Sequence, residues 1–402
     1  MIYYVRIPKQ MGGITTKILY ATSMSLEKEK NLGNKIHFVE IGKALKKLGH
    51  QIILVAPYYK NQGTKEAYGL IDEQIDFKKK NITDYLLYHQ KLRKKLPSLI
   101  KKYKPDLFYS RDLLNVKSVN KFLKKNQIKH FVEINDLISD YEFEPKFAKP
   151  FFLKIQETQI KNADLIRVMT QQIKEKLQKD YPETNGKVYI IRHGTDPEIF
   201  KDRGKFQSQK KTMINNKFIF CFIGTYNYMA YINGLKYFLS ALKKFIANDF
   251  QDTHLILIGE GKFTTLLEEE ISRLGIKNNV TLTGTIQNEK LPDYISASDI
   301  CLQTWIPEKK DVEGLSLKLS SYLACERRIL TSDLKGFREI LEPFDTLFWK
   351  LEDEESMYQC IKKAYKEKDS WDKGKTQRQY VIENFTWEIA AKKIIEAFIK
   401  NK

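Results

Sequence analysis

Short apolar runs alternate with amphipathic, lysine-rich stretches along the chain, and after one polar interval the alternation begins again. Residues 16–23 (TKILYATS) read as a buried strand, 34–48 (NKIHFVEIGKALKKL) as an amphipathic helix and 51–56 (QIILVA) as a second buried strand, with Gly49-His50 as the turn. Strand, helix and strand in that order make a parallel crossover, because parallel neighbours need a connection long enough to cross the sheet. Placing the first strand at 2–7, with a loop at Gly12-Gly13, leaves too long a gap before the helix. Further strands are expected at 105–111, 130–135, 162–169 and 187–192. The pattern restarts at 217. Strands are expected at 218–223 (FIFCFI), 254–258 (HLILI), 280–282, 299–303 and 329–331, and helices at 233–247, 291–297 and from Gly259-Glu260-Gly261 to 274. Residues 202–217, polar and basic, read as a linker, 224–232 as a loop and 386–402 as an amphipathic terminal helix.

Composition limits what such a chain can do. At 402 residues with 42% hydrophobic content it can bury two cores of ordinary size. Its four cysteines (Cys221, Cys301, Cys325, Cys360) form no CxxC pair and its six histidines show no ligand spacing, so neither a disulfide framework nor a metal site is expected. No Ser-His-Asp, Cys-His or HExxH arrangement and no GxxxxGK[ST] loop is present. The opening MIYYVRIPKQ lacks the apolar run of a signal peptide and no run reaches the length of a membrane span, which favours a cytoplasmic protein.

The net charge of +19 favours an anionic partner, whether a phospholipid surface, nucleic acid or phosphorylated substrates, unless it reflects nucleotide bias in the genome. A nucleic-acid role has only this charge behind it, without a basic-aromatic motif. A helix at 84–103, interrupted at Pro97, sets Lys91, Arg93, Lys94, Lys95, Lys101 and Lys102 among Leu87, Leu92, Leu96 and Leu99. That is the pattern of a membrane-surface helix or of a basic solvated face.

The most informative stretch is 313–333, EGLSLKLSSYLACERRILTSD. An acid and a glycine lead into a helix with Leu315, Leu319, Tyr322 and Leu323 on one face, followed by a short strand ending at Ser332-Asp333. A loop opening directly into a helix offers free N–H groups to a diphosphate, and the preceding carboxylate can accept hydrogen bonds from sugar hydroxyls. An amphipathic helix before an edge strand is the plain structural alternative.

The order and spacing of this stretch resemble the donor-binding signature of glycosyltransferase family 4, the group 1 enzymes. Glu313, Gly314, Leu323-Ala324-Cys325 and Ser332-Asp333 fall in register, whereas Ser321 stands where a second acid is usual and Glu326 and Arg328 occupy the usual Gly-Pro turn. The runs KALKKLGHQIILV, His193-Gly194-Thr195-Asp196 to Phe200, and GEG…VTLTGTI…LPDYISASDICL extend the resemblance over nearly the whole chain.

It implies a GT-B fold: two Rossmann-like units with parallel sheets facing a cleft, an acceptor domain over 1–205, a donor domain over 206–385, and the helix 386–402 crossing back to the first. The implied activity is retaining, metal-independent transfer from a UDP- or GDP-sugar to a glycan or lipid-linked acceptor in cell-surface polysaccharide assembly. Peripheral contact with the membrane's inner face would suit such an acceptor, and no further cofactor is implied. Glu313 would hold the donor sugar, backbone N–H groups at Gly314, Leu315 and Ser316 the diphosphate, and Ile286 the nucleobase. Gly224, Thr225 and Gly259 would line the donor loops, and Ser321 would face the ribose. Lys318 would be the phosphate-directed cation, since the loop TYNYMAYIN after Gly224 lacks the usual basic pair and carries Tyr228 and Asn233 instead. Asn135-Asp136 align with the family's His-Asp, and Gly33, Arg111 and Asp112 would meet the acceptor, though capping of loop ends would also account for the last two and for Asn135. These departures leave room for a weak or inactive member that binds a sugar or a partner.

Overall fold

The computed structural model describes residues 15–23, 32–58, 73–76, 82–111, 117–140, 146–214, 217–248, 250–307 and 316–402. The alternative first strand at 2–7 lies outside them. Seven parallel strands form the first sheet: β1 (Lys17–Thr22), β2 (Gln51–Tyr58), β3 (Glu73–Asp76), β4 (Leu107–Arg111), β5 (Lys129–Glu133), β6 (Leu165–Val168) and β7 (Val188–Ile190). Six form the second: β8 (Phe218–Ile223), β9 (Thr253–Ile258), β10 (Val280–Gly284), β11 (Ile300–Gln303), β12 (Arg328–Ser332) and β13 (Leu347–Trp349). The orders are β3-β2-β1-β4-β5-β6-β7 and β10-β9-β8-β11-β12-β13. Both run outward from a central first strand, the doubly wound pattern with its crevice beside that strand. The two-unit α/β architecture read from the sequence is the one found.

Residue alternation explains why both faces of each sheet are covered. In β1, Ile18 and Tyr20 point into one core and Leu19 and Ala21 into the opposite one. In β8, Phe218, Phe220 and Phe222 pack against the helix Met229–Ala247, while Ile219 and Cys221 meet Leu319, Leu323 and Cys325. The terminal helix Trp387–Lys400 crosses back to the first sheet, setting Ala391, Ile394, Ile395 and Phe398 among Tyr20, Phe38, Leu45 and Phe131. The crossing is tight. Thr195 pairs with Thr386, and a Cβ on Gly194 would lie 2.4 Å from the Trp387 nitrogen, so the close approach there excludes any side chain.

Two local expectations change. Residues 202–217 hold a helix, Lys205–Thr212, that belongs to the second unit. Arg203 pairs with Asp293 at 2.9 Å, Lys211 with the same carboxylate at 3.1 Å, and Gln209 donates to the Ala297 carbonyl at 3.2 Å. Helix Ile82–Tyr103 runs unbroken through Pro97, which lies on the exposed side. Its Leu92, Leu96 and Leu99 are buried against β1, β2 and β4, and Lys95 and Lys102 are paired with Glu73. The apolar face expected to enter a membrane is therefore occupied by the protein's own core. Among the described residues no helix is long and apolar enough to cross a membrane.

A charged network fills the middle of the first unit. Glu133 accepts from Arg111 at 2.6 Å, Tyr109 at 2.8 Å, Arg167 at 3.1 Å and His37 at 3.0 Å. Burial by itself would raise this carboxyl, but Arg111, His37 and Arg167 outweigh it and hold it well below the usual range. The His37 and His193 Nδ1 atoms lie 2.8 Å apart, so one ring donates and the other accepts.

Two outcomes follow. Ile394→Ala should destabilise the protein by about 2–5 kcal/mol in urea unfolding, the usual cost of a buried cavity. A change under about 0.5 kcal/mol would mean that the terminal helix does not dock on the first sheet. Burial also pushes His37, His89 and His130 down to about 3. Unfolded histidines protonate near about 6.5, so from there down to about 3 the unfolded chain binds more protons and stability falls as the pH drops. Each ring contributes up to about 1.4 kcal/mol per pH unit over that window. The urea midpoint should therefore be level above about pH 7 and decline below about pH 6, and a level midpoint down to about pH 4 would refute the neutral, buried rings.

Candidate active site

Three loops at the carboxyl ends of β8, β9 and β10 are strapped into one surface. The Gly224 N–H donates to the Ile258 carbonyl at 3.0 Å, Gly259 to Gly284 at 2.9 Å, and Tyr226 to Glu260 at 3.1 Å. Asn227 Oδ1 accepts from the Lys262 N–H at 2.9 Å. Gly259 has φ +131°, and a Cβ on it would fall 1.8 Å from the Gly224 carbonyl oxygen, so no other residue fits. Gly224, Thr225 and Gly259 are thus brought together, and Ile286 follows within two residues of the Gly284 turn, half-buried against the core.

Against this surface stands the start of the helix Leu317–Ala324, whose N-cap residue is Ser316. Helical spacing sends its side chains in three directions. Leu317 reaches the first unit, where a Cβ on Gly33 would be 3.2 Å from its Cδ1. Ser321, one turn on, has its Oγ 3.4 Å from Thr195 Oγ1. Tyr322 turns to β8 and its hydroxyl accepts the Ile223 N–H at 2.9 Å. Lys318 enters the space beside Gly224, its Nζ 3.3 Å from where a Gly224 Cβ would sit. That amine is buried, lies 3.9 Å from the Phe222 ring centroid and 4.0 Å from that of Tyr231, and has no hydrogen-bond partner. Removal from water holds it well below the ordinary lysine range.

The first unit supplies the opposite wall. Asn135 and Asp136 follow β5. Asn135 Oδ1 is buried without a partner, while Asp136 is exposed and its charge acts on the Tyr231 hydroxyl across the cleft. Burial pushes Tyr231 up to about 12, tempered by side-chain hydrogen bonds with Ser316 and Gln303. Arg111 behaves differently from the expectation that it would meet an acceptor. It is 3% exposed and its Nη1 is directed inward onto Glu133, because that buried carboxylate needs a cation more than the loop end does. Asp112, Glu313, Gly314 and Leu315 lie outside the described residues. Among those described, no group of three or more His, Cys, Asp or Glu is placed to hold a metal ion.

Sequence reasoning missed the aromatic box. Phe222, Tyr231 and Trp305 surround the Lys318 end of the cleft, with Tyr231 and Trp305 4.6 Å apart and edge to face, and Tyr228 6.2 Å from Trp305 on the rim. The cluster of tyrosines after Gly224 was the available signal. The residue pattern reads as a loop to 232, but the helix already begins at Met229, which is what turns Tyr231 inward.

Known proteins match in the same chain order. A model described as Glycosyltransferase Family 4 covers residues 33–199, and one described as Glycosyl transferases group 1 covers 217–367. An uncharacterized glycosyltransferase of Methanocaldococcus jannaschii is 25% identical over 301 residues, 71% of this chain and 69% of that protein. Sucrose-phosphate synthase from Thermosynechococcus elongatus superposes with a TM-score of 0.77 at 16% identity, over 96% of this chain and 98% of the other. Anabaena HepE in complex with UDP-glucose superposes with a TM-score of 0.70 at 14% identity, over 96% and 100%. These two superpositions bear on the fold alone. With one unit matched by each family model and both doubly wound sheets meeting at such a cleft, the chain belongs to the group 1, family 4 glycosyltransferases.

Proposed function

We propose that this glycosyltransferase takes its sugar from a nucleotide-sugar, such as a UDP- or GDP-sugar, and transfers it with retention to a glycan or lipid-linked acceptor in cell-surface polysaccharide assembly. The second unit would be the donor domain and the first the acceptor domain. The observation that carries this reading is the buried amine of Lys318, unpartnered beside Gly224 and the start of a helix. A cation there and free N–H groups at Ser316 and beyond suit a diphosphate. A relative, Anabaena HepE, has been solved with UDP-glucose, which supports a donor of this class.

Attack from the leaving-group face needs no general base from the protein, because the departing phosphate can take the acceptor's proton. The chain's own residues then position and stabilise. Lys318 and the helix start would carry the diphosphate charge, without calling on a metal, and Glu313 would hold the donor sugar. Asp136 and Asn135, whose Oδ1 is unpaired, would face the acceptor. Incubating the protein with a panel of nucleotide-sugars and reading the anomeric configuration of the product tests the whole reading. An inverted product would end the retaining assignment.

The Glu313→Gln variant should lose about 2–4 kcal/mol of transition-state stabilisation while UDP or GDP affinity changes little. Undiminished turnover would remove Glu313 from the donor sugar. Peripheral membrane contact, if it serves a lipid-linked acceptor, rests on charge alone, since the apolar face of Ile82–Tyr103 is buried. Co-sedimentation with anionic vesicles should then be strong at low salt, weaken at about 0.5 M salt, and fall in a Lys94→Gln/Lys101→Gln variant by about 1 kcal/mol per lysine. Indifference to anionic vesicles at low salt would make the charge compositional.

A further inference from the structure

The Lys318 amine is buried without a counter-ion, and its surroundings explain why none is supplied. The residue is 7% exposed and the Nζ makes no hydrogen bond. Among the described residues, those packed directly against it offer only groups that are neutral near physiological pH. On β8 the Cys221 thiol is pushed up to about 12 by burial. On the helix Met229–Ala247, Tyr231 is pushed up to about 12, chiefly by burial, and on the lysine's own helix burial raises Tyr322 well above the usual phenol range. Asp136, from the first unit, acts on the Tyr231 hydroxyl. The Phe222 and Tyr231 faces, at 3.9 and 4.0 Å, attract an ammonium but do not replace the water it loses on burial.

We propose that nucleotide binding at this edge draws a proton from solvent onto Lys318 Nζ, the diphosphate supplying the counter-charge that the described residues around the amine lack. The inference rests on the donor-site reading and deepens it. In the free protein the amine keeps its lone pair. As the diphosphate oxygens arrive beside Gly224, that lone pair takes a proton from a buffer acid or water. The resulting ammonium then donates its N–H bonds to the phosphate oxygens, and the proton returns to solvent when the nucleotide leaves. Lysine suits this cycle where arginine would not, because a guanidinium cannot shed its charge to be buried. Affinity for the donor and for the nucleotide product should therefore fall as the pH rises.

Calorimetry of UDP binding to the full chain decides the matter. It is run at about pH 8, where the terminal phosphate is already ionised, in two buffers of widely different ionisation enthalpy. Uptake of roughly one proton per UDP is expected from the difference in apparent enthalpy, with affinity falling about tenfold per unit between about pH 8 and about pH 9. Lys318→Arg should bind without uptake and Lys318→Met weakly and without uptake, with melting curves reporting that both fold. Equal enthalpies in the two buffers would overturn the proposal even if UDP binds well, and so would uptake that survives in Lys318→Met. If neither variant folds, the wild-type comparison is sufficient. Failure of UDP, GDP and ADP all to bind overturns the donor-site reading itself, a result distinct from binding without uptake.

Discussion

Glu133 is a carboxylate with no access to water, and the first unit is arranged around satisfying it. Arg111 comes from β4, Arg167 from β6, Tyr109 from β4 and His37 from the opening helix Leu32–Lys47. Removing any one would leave a buried charge under-compensated, which costs far more than an exposed pair is worth. The network also reaches beyond the sheet. Arg167 donates to the Ile191 and Arg192 carbonyls, and His37 contacts His193 and lies 5.5 Å from the Trp387 ring. The segment after β7 and the returning terminal helix are therefore seated on the same polar core. Arg378 continues the fixation by donating to the Pro197, Phe200 and Ala324 carbonyls.

The contrast with Lys318 is informative. Both groups are buried ions by type, yet one is saturated with partners and the other has none. A saturated ion is structural in character, since its energetics close within the fold. An unsatisfied amine beside a glycine loop and a helix start is held at a cost that the fold does not recover by itself. It lies at the crevice beside β8, the place where doubly wound sheets bind ligands. The same edge carries the Tyr231–Trp305 pair, so one side of the cleft is electrostatically poised and the adjacent side is flat and aromatic. Glu326 is a smaller instance of local strain. It sits in the left-handed region at φ +59°, which costs a residue with a side chain more than it would a glycine.

Much of this architecture was legible in one dimension, for a physical reason. Strand alternation and helix periodicity are local, so the order of elements and the point of restart at 217 could be read directly from the residues. β1, β2, β8 and β9 stand within about two residues of their expected bounds. The glycine loops were also visible, because Gly224 and Gly259 follow apolar runs. The helix carrying Lys318 follows from the pattern of 313–333 as well. What was decided by tertiary structure depends on partners distant in sequence. Arg111 looked like a cleft residue until a carboxylate 22 positions away claimed it. The basic helix Ile82–Tyr103 looked free to lie on a membrane until β1, β2 and β4 took its leucines. Residues 202–217 looked like a tether until Asp293 and Ala297 docked them. Residue pattern thus determined the strands, helices and glycine turns, because those follow from each residue's immediate neighbours. Which charges are satisfied, which apolar faces are covered and which amine is left without a hydrogen-bond partner were settled only when the sheets brought distant side chains into contact.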